Sequence, residues 1–124
     1  MPDKVADASA IAALVFEEPE AAQVEAVLRG HTLFAPALLP FEMASVCLKK
    51  MRLHPEDHDA IHARFDGFKN IPVTLLPVDP HAIVDAARMF KLSAYDAGYL
   101  LLAKSMNAEL VTLDRDLAEA WAEA

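Results

Sequence analysis

Short apolar runs alternate along this chain with longer segments of helical periodicity, and this alternation constrains the fold more than any other feature. Many of the turns between them are marked by one of the eight prolines. Strands are predicted at residues 4–7, 32–35, 73–78 and 109–113. Strands that return through a helix pair in parallel and are covered on both faces. We therefore expect a three-layer α/β/α sandwich with a central parallel sheet of four or five strands.

The segments between the strands predict helices at residues 8–16, 20–29, 38–52, 94–106 and 115–124, with two more opening at Pro55 and Pro80. Within residues 38–52, the spacing predicts a buried face of Phe41, Ala44, Cys47, Leu48 and Met51. The first strand is short and interrupted by Lys4, so we expect it to be marginal. Pro77 predicts a sheet edge or the end of the third strand.

The overall composition predicts one globular domain over residues 1–124. The chain is 55% hydrophobic and 24% charged, which excludes disorder. No apolar stretch is long enough to cross a bilayer, so no membrane contact is expected. A single cysteine, Cys47, predicts a reducing compartment, and the first residues lack a secretory pattern. A cytoplasmic location is expected.

The net charge weighs against a polyanionic partner. Nineteen acidic residues against eleven basic ones give −8, whereas phosphate binding usually leaves a basic footprint. Setting four carboxylates aside as metal ligands still leaves an acidic chain. The one basic cluster, Lys49, Lys50 and Arg52, is typical of a solvated helix end. Charge alone argues mildly against RNA.

Two acids stand directly after predicted strands. Asp7 follows the first strand and Asp114 the last, and each precedes a helix that it is suited to cap. Sites in parallel α/β sheets lie beyond the carboxyl ends of the strands. A capping aspartate at that edge therefore also lies at the expected site, and the two roles are compatible.

Two further acids stand at predicted helix starts. Asp96 is in register with the apolar residues Tyr99, Leu100 and Ala103, and a lone carboxylate buried there is costly without a cation. No lysine or arginine follows before Lys104. Glu42 lies beside its helix's apolar face and alone would suit a surface position near the helix N-terminus.

An all-oxygen set of four carboxylates predicts Mg²⁺ or Mn²⁺ rather than zinc. Such ions can lower the pKa of a bound water and stabilise a leaving oxygen in phosphoryl chemistry. Asp116 is either a further ligand or a favourable charge in the first turn of its helix.

Five short motifs occur in order along nearly the whole chain: residues 7–9, 17–19, 35–44, 92–97 and 112–117. Together they resemble a PIN domain, in particular the VapC toxins of toxin–antitoxin pairs. The resemblance implies a metal-dependent endoribonuclease with Asp7, Glu42, Asp96 and Asp114 as the acidic set. It also implies that Ser9 and Thr112 orient the carboxylates, that the protein forms a homodimer, and that an antitoxin blocks the pocket.

Three other interpretations remain open. His54, His58 and His62 have the spacing of one helix face with Asp59 nearby, which is typical of a solvated face and conceivable for a transition metal. Asp7 could act as a covalent nucleophile in an aspartate-based phosphohydrolase. The chain could also be a catalytically degenerate PIN-like module that binds RNA or protein and whose acids only cap helices.

Overall fold

The computed structural model describes residues 2–124, in which four strands alternate with seven α-helices. The strands are β1 (Asp3–Ala6), β2 (Thr32–Pro36), β3 (Val73–Leu76) and β4 (Glu109–Val111). The helices are α1 (Ala8–Val15), α2 (Ala21–Leu28), α3 (Leu39–Leu53), α4 (His58–Phe65), α5 (Pro80–Phe90), α6 (Ala94–Met106) and α7 (Arg115–Glu123). Predicted element types are confirmed, while several bounds shift by one to a few residues.

The strands form one parallel sheet in the order β3–β2–β1–β4. The first strand, expected to be marginal, lies at the centre of this sheet, and that expectation is wrong. Val5 pairs with Phe34 of β2 on one side and with Leu110 of β4 on the other, and it is fully buried. Lys4 is accommodated because its ammonium group reaches Glu109 at 2.7 Å. Pairing on both sides compensates for the short length.

The third strand lies at an edge of the sheet, as Pro77 predicted. It ends at Leu76, whose carbonyl oxygen accepts a hydrogen bond from the Ala37 amide at 2.9 Å. Pro77 has no amide hydrogen with which to extend the strand's pairing. The predicted extension to residue 78 is therefore absent.

Two helical layers cover the sheet and give the expected three-layer architecture. Helix α6 packs on β1, β2 and β4 and contacts α5 and α7, whereas α1 contacts α2 and α3, and α3 contacts α4. Small side chains let α1 lie close to its neighbours, since Ala10 and Ala13 are fully buried beside Ile11. No helix of residues 2–124 is long and apolar enough to cross a membrane.

Helix α3 presents a different face to the core from the one its spacing predicted. Its buried residues are Leu39, Met43 and Cys47, while Phe41 is 79% exposed and Leu48 is also exposed. Apolar residues occur around most of this helix, so periodicity alone fits two orientations. Packing against the rest of the core selects the one that buries Met43.

The three histidines do not all lie on one helix face, because only His58 and His62 belong to the same helix. His54 ends α3, and Pro55–Asp57 forms a 3₁₀ turn before α4 begins, so the register is interrupted between His54 and His58. All three histidines, including His62, are exposed. The expectation that these histidines are solvated is confirmed. The expectation that all three lie on one helix face is wrong.

The orientation of α3 can be tested by truncating one residue on each face. Met43→Ala should lower the free energy of unfolding by about 2–5 kcal/mol, because it empties a fully buried site. Phe41→Ala should change it by less than about 0.5 kcal/mol, because that ring is solvated. Urea unfolding followed by circular dichroism measures both, and equal losses would contradict the orientation.

Candidate active site

The four predicted acids meet at the carboxyl edge of the sheet. Asp7 directly follows β1, and Asp114 lies shortly after the adjacent strand β4. Glu42 lies in the first turn of α3, which follows β2, and Asp96 lies in the first turn of α6, which packs on β1 and β2. Parallel pairing therefore collects residues that are distant in sequence at one end of the sheet.

Asp7 is held by hydrogen bonds to both of its carboxylate oxygens. The Ser9 hydroxyl donates to Oδ1 at 2.7 Å, and the Ala10 amide donates to the same atom at 3.0 Å as the cap of α1. The Thr112 hydroxyl donates to Oδ2 at 2.5 Å. The carboxylate is thus fixed both by its own helix and by the end of the neighbouring strand.

The directions of the two hydroxyl groups are set by the backbone. Ser9 Oγ accepts from the Leu113 amide at 2.9 Å, and Thr112 Oγ1 accepts from the Asp114 amide at 3.0 Å. Each hydroxyl therefore turns its own hydrogen toward Asp7. A carboxylate has about four lone-pair directions, and these three donors leave one available for a further partner.

Asp7 is the most buried member of the set, with 4% of its surface exposed. Burial raises the pKa of Asp7, and nearby Asp114 raises it further, while the bonds from Thr112, Ser9 and the Ala10 amide lower it. The sequence predicted a buried carboxylate at Asp96 and made no such prediction for Asp7. The difference arises because Asp7 directly follows an interior strand, whereas Asp96 lies in the first turn of a helix at the rim.

Asp96 is only half-buried, so the burial expected from its apolar register is too strong. Burial still raises its pKa most, and Asp114 and Asp7 raise it further against the lowering effect of Ser93. The Ser93 hydroxyl caps α6 by accepting from the Asp96 amide at 3.1 Å. This cap fixes the turn from which the carboxylate projects.

Glu42 lies next to Tyr99, a contact that the sequence did not predict. Oε1 of Glu42 and the hydroxyl oxygen of Tyr99 are both buried and lack a hydrogen-bond partner among the described residues. Burial raises the pKa of Glu42, the Tyr99 hydroxyl lowers it, and Asp96 and Asp7 raise it. Burial and the Glu42 charge together raise the pKa of Tyr99. Tyr99 therefore remains a neutral hydroxyl beside the acid.

Asp114 and Asp116 occupy different positions on α7. Asp114 caps the helix by accepting from the Leu117 amide at 3.1 Å, so the predicted cap is present at the site edge. Asp116 is exposed in the first turn, and its charge contributes to the raised pKa of Asp96. It lies at the rim of the acidic set.

The donor set fits a hard divalent cation. None of the six ion pairs within residues 2–124 includes Asp7, Glu42, Asp96 or Asp114. Neighbouring carboxylates raise the pKa values of Asp7, Glu42 and Asp96, and Glu42 keeps a buried oxygen without a partner among the described residues. A bound divalent cation would offset the repulsion among the carboxylates and would provide a partner for the Glu42 oxygen. Asp7, Glu42, Asp96 and Asp114 would hold it, with Asp116 nearby.

A tighter group of possible ligands lies elsewhere in the described part of the chain. Ligand atoms of His54, Glu56 and Asp57 lie within 4.8 Å of one another, and all three residues are exposed. Among the described residues, the ligand atoms of the four sheet-edge acids do not form a group as close as this one. A looser carboxylate set suits Mg²⁺, which usually retains several water ligands.

Ser93 and Tyr99 carry only weak sequence signals for a place in this site. Ser93 and Asp96 have the S-x-x-D spacing of a capping box. Tyr99 stands three residues after Asp96, on the same side of a helix, but this spacing also fits the apolar face of that helix. The proximity of Tyr99 to Glu42 depends on how α3 and α6 are packed, which the sequence does not encode locally.

The chain belongs to the PIN-domain family, because the family model described as PIN domain matches residues 4–121. The expected resemblance is thereby confirmed. Two ribonucleases of the VapC group are similar over nearly the whole chain. Ribonuclease VapC3 of Pyrobaculum aerophilum is 34% identical, covering 93% of this chain and 92% of that protein. Ribonuclease VapC12 of Mycobacterium tuberculosis is 30% identical, covering 93% and 89%.

A solved structure has the same fold. The crystal structure of PAE2754 from Pyrobaculum aerophilum superposes with a TM-score of 0.75 over 96% of this chain and 84% of that chain, at 24% identity. This comparison shows the fold of the chain. The chemistry at the sheet edge is argued from this chain's own residues.

The acidic set should reduce the stability of the metal-free protein as the pH rises. Raised pKa values mean that the folded chain holds protons on Asp7, Glu42 and Asp96 that the unfolded chain has released. In EDTA, the free energy of unfolding should therefore begin to fall as the pH rises past the ordinary pKa values of 3.8 for aspartate and 4.5 for glutamate. It should continue to fall until the pH exceeds the raised pKa values, and then level off. Asp96→Asn should reduce this fall in urea-unfolding series at several pH values.

A matched control for that series is Asp85→Asn, which removes the same charge from the exposed side of α5. It should leave the pH dependence close to that of the wild type. Identical slopes for Asp96→Asn and Asp85→Asn would show that the site carboxylates do not strain the metal-free fold.

Proposed function

We propose that this protein is a metal-dependent endoribonuclease that hydrolyses RNA phosphodiester bonds with Asp7, Glu42, Asp96 and Asp114. The observation that carries the proposal is the convergence of these carboxylates at the edge of a PIN-domain sheet, with no basic partner among the described residues. The VapC relatives are named ribonucleases, which supports RNA as the substrate.

Mg²⁺ or Mn²⁺ suits this all-oxygen set better than zinc, which favours nitrogen and sulfur ligands. When bound, such an ion lowers the pKa of a water molecule and offsets negative charge that develops on phosphate oxygens. The protein's own contribution is to keep the carboxylates in place and to bring the backbone of the RNA to them.

Asp7 and Glu42 have different environments in the proposed metal site. Asp7 is immobilised by Ser9 and Thr112, so it is preorganised as a ligand. Its buried position and three hydrogen bonds favour this role over that of a covalent nucleophile. Glu42, whose pKa is raised by burial and by Asp96 and Asp7, would release its proton when it binds the cation.

Cleavage of a single-stranded RNA in Mg²⁺ or Mn²⁺ provides the test. Loss of an outer partner of a metal ligand typically costs about 10- to 100-fold in activity. We therefore expect Thr112→Val to lose that much and Asp7→Asn or Asp96→Asn to lose more than about 100-fold. EDTA should abolish the activity, and Asp85→Asn should retain it.

Calorimetry separates failure of metal binding from failure of catalysis. Mn²⁺ should bind the wild type and bind Asp96→Asn more weakly. Cleavage that persists in EDTA, or full activity of Asp7→Asn, would contradict the mechanism. A protein that binds RNA without cleaving it under any of these conditions would instead be the degenerate module.

We further propose that the chain acts as the toxin of a toxin–antitoxin pair, with a small antitoxin as protein partner and a homodimer as its assembly. Support comes from the VapC relatives, which match it over nearly their full lengths. Sedimentation of the purified protein would test the dimer. An adjacent gene whose product copurifies with it would identify the antitoxin.

Induced expression in a bacterial host tests the toxin proposal directly. The wild type should arrest growth and degrade a defined RNA, because its acids are intact. Asp96→Asn should permit growth at equal protein levels, and Asp85→Asn should still arrest it. Growth curves and RNA gels provide the readout, and equal arrest by Asp96→Asn would remove ribonuclease activity as the cause.

A further inference from the structure

Two exposed aromatic rings flank the acidic set. Phe41 precedes Glu42 at the start of α3 and is 79% exposed, and Tyr95 precedes Asp96 at the start of α6 and is 59% exposed. Both rings line one open cavity of about 350 Å³, together with Glu42, Ser45 and Val46. Two different helices thus place an aromatic ring beside a catalytic acid.

Neither ring contributes to the core. The aromatic stacks of the described residues join Phe16 to Phe65 and Phe65 to Phe68, at a separate position in the fold. Solvated apolar rings at a cavity mouth are typical of surfaces that bind a partner or ligand. Stability of the fold therefore does not explain why α3 and α6 expose them here.

The lining of this cavity favours a flat neutral group over a phosphate. Among the described residues its lining contains no lysine or arginine, so no cationic side chain is present there to hold a phosphate. A nucleobase has no charge and offers two aromatic faces. Its edge carries donors and acceptors that the Glu42 carboxylate and the Ser45 hydroxyl can meet.

A second copy of the chain fits this cavity less well. An isologous contact centred here would bring the Glu42 carboxylates of two copies toward one another in a buried interface. Glu42 already has a buried oxygen without a hydrogen-bond partner, and further desolvation would add to that cost. An unpaired base, by contrast, can enter the cavity while the RNA backbone stays in solvent beside the acids.

We propose that Phe41 and Tyr95 form a base-stacking platform that holds an unpaired nucleotide next to the scissile phosphate of single-stranded RNA. This inference rests on the proposed ribonuclease function and names two residues that would position its substrate. Stacking on aromatic side chains is the common means of binding unpaired bases, and it tolerates different sequences. Duplex RNA keeps its bases stacked internally and is excluded from the platform.

Kinetics with Mn²⁺ and a single-stranded RNA test the platform. Phe41→Ala and Tyr95→Ala should each raise KM by roughly 5- to 100-fold, the range for loss of one stacked base, with little change in kcat. Phe41→Trp and Tyr95→Phe keep an aromatic face and should restore KM. Met89→Ala truncates a residue of α5 that is 75% exposed and outside the cavity lining, and it should change nothing.

A binding measurement makes the result independent of cleavage. Single-stranded RNA carrying 2-aminopurine should change its fluorescence when the wild type binds, and both alanine variants should weaken that binding at unchanged melting temperature. Binding without cleavage by the wild type would refute the ribonuclease function and leave the platform standing. Cleavage with unchanged KM in both alanine variants would refute the platform alone.

Two further outcomes would also overturn the platform. Equal KM for duplex and single-stranded RNA would show that unpaired bases are not what the rings recognise. Conversion of a dimer to a monomer by Phe41→Ala in sedimentation, with RNA binding per chain unchanged, would assign these rings to an interface between copies.

Discussion

The parallel pairing of β1 with both β2 and β4 determines where every acid of the site lies. Because the strands run in one direction, the residues that follow them meet at one edge of the sheet. Asp7 and Asp114 are therefore neighbours across more than a hundred residues of sequence. The helices that begin at this edge add Glu42 and Asp96 from their first turns.

The gathering of these carboxylates at one edge of the sheet lowers the stability of the fold. Burial and mutual repulsion raise the pKa values of three carboxylates, and no lysine or arginine pairs with the set in the described residues. The hydroxyls of Ser9 and Thr112 offset part of the cost by donating to Asp7, and helix caps by Asp7, Ser93 and Asp114 fix the turns. A bound cation would remove part of the remaining cost, and metal binding would then be coupled to folding.

Sequence reasoning predicted what depends on local order and missed what depends on packing. The alternation of elements, the sheet edge at Pro77 and the caps at Asp7 and Asp114 follow from neighbours in the chain. The exposed Phe41 was assigned to the core because α3 is apolar on several sides, and only the packing of the helix against its neighbours selects Met43. The contact of Glu42 with Tyr99 joins two helices and leaves no local pattern. Asp96 was expected to be buried because its register was apolar, but its position at a helix start leaves it half-exposed.

The geometry of the site bears on how a chain with this net negative charge could bind RNA. A net charge of −8 opposes a phosphate backbone, and electrostatic attraction normally supplies much of the affinity for nucleic acid. A protein of this charge needs contacts that do not depend on phosphate, and neutral base faces stacked on Phe41 and Tyr95 would provide them. Affinity obtained that way should depend weakly on salt. The same negative surface would disfavour long duplexes, whose bases cannot reach the rings, so the charge would contribute to selection of unpaired RNA.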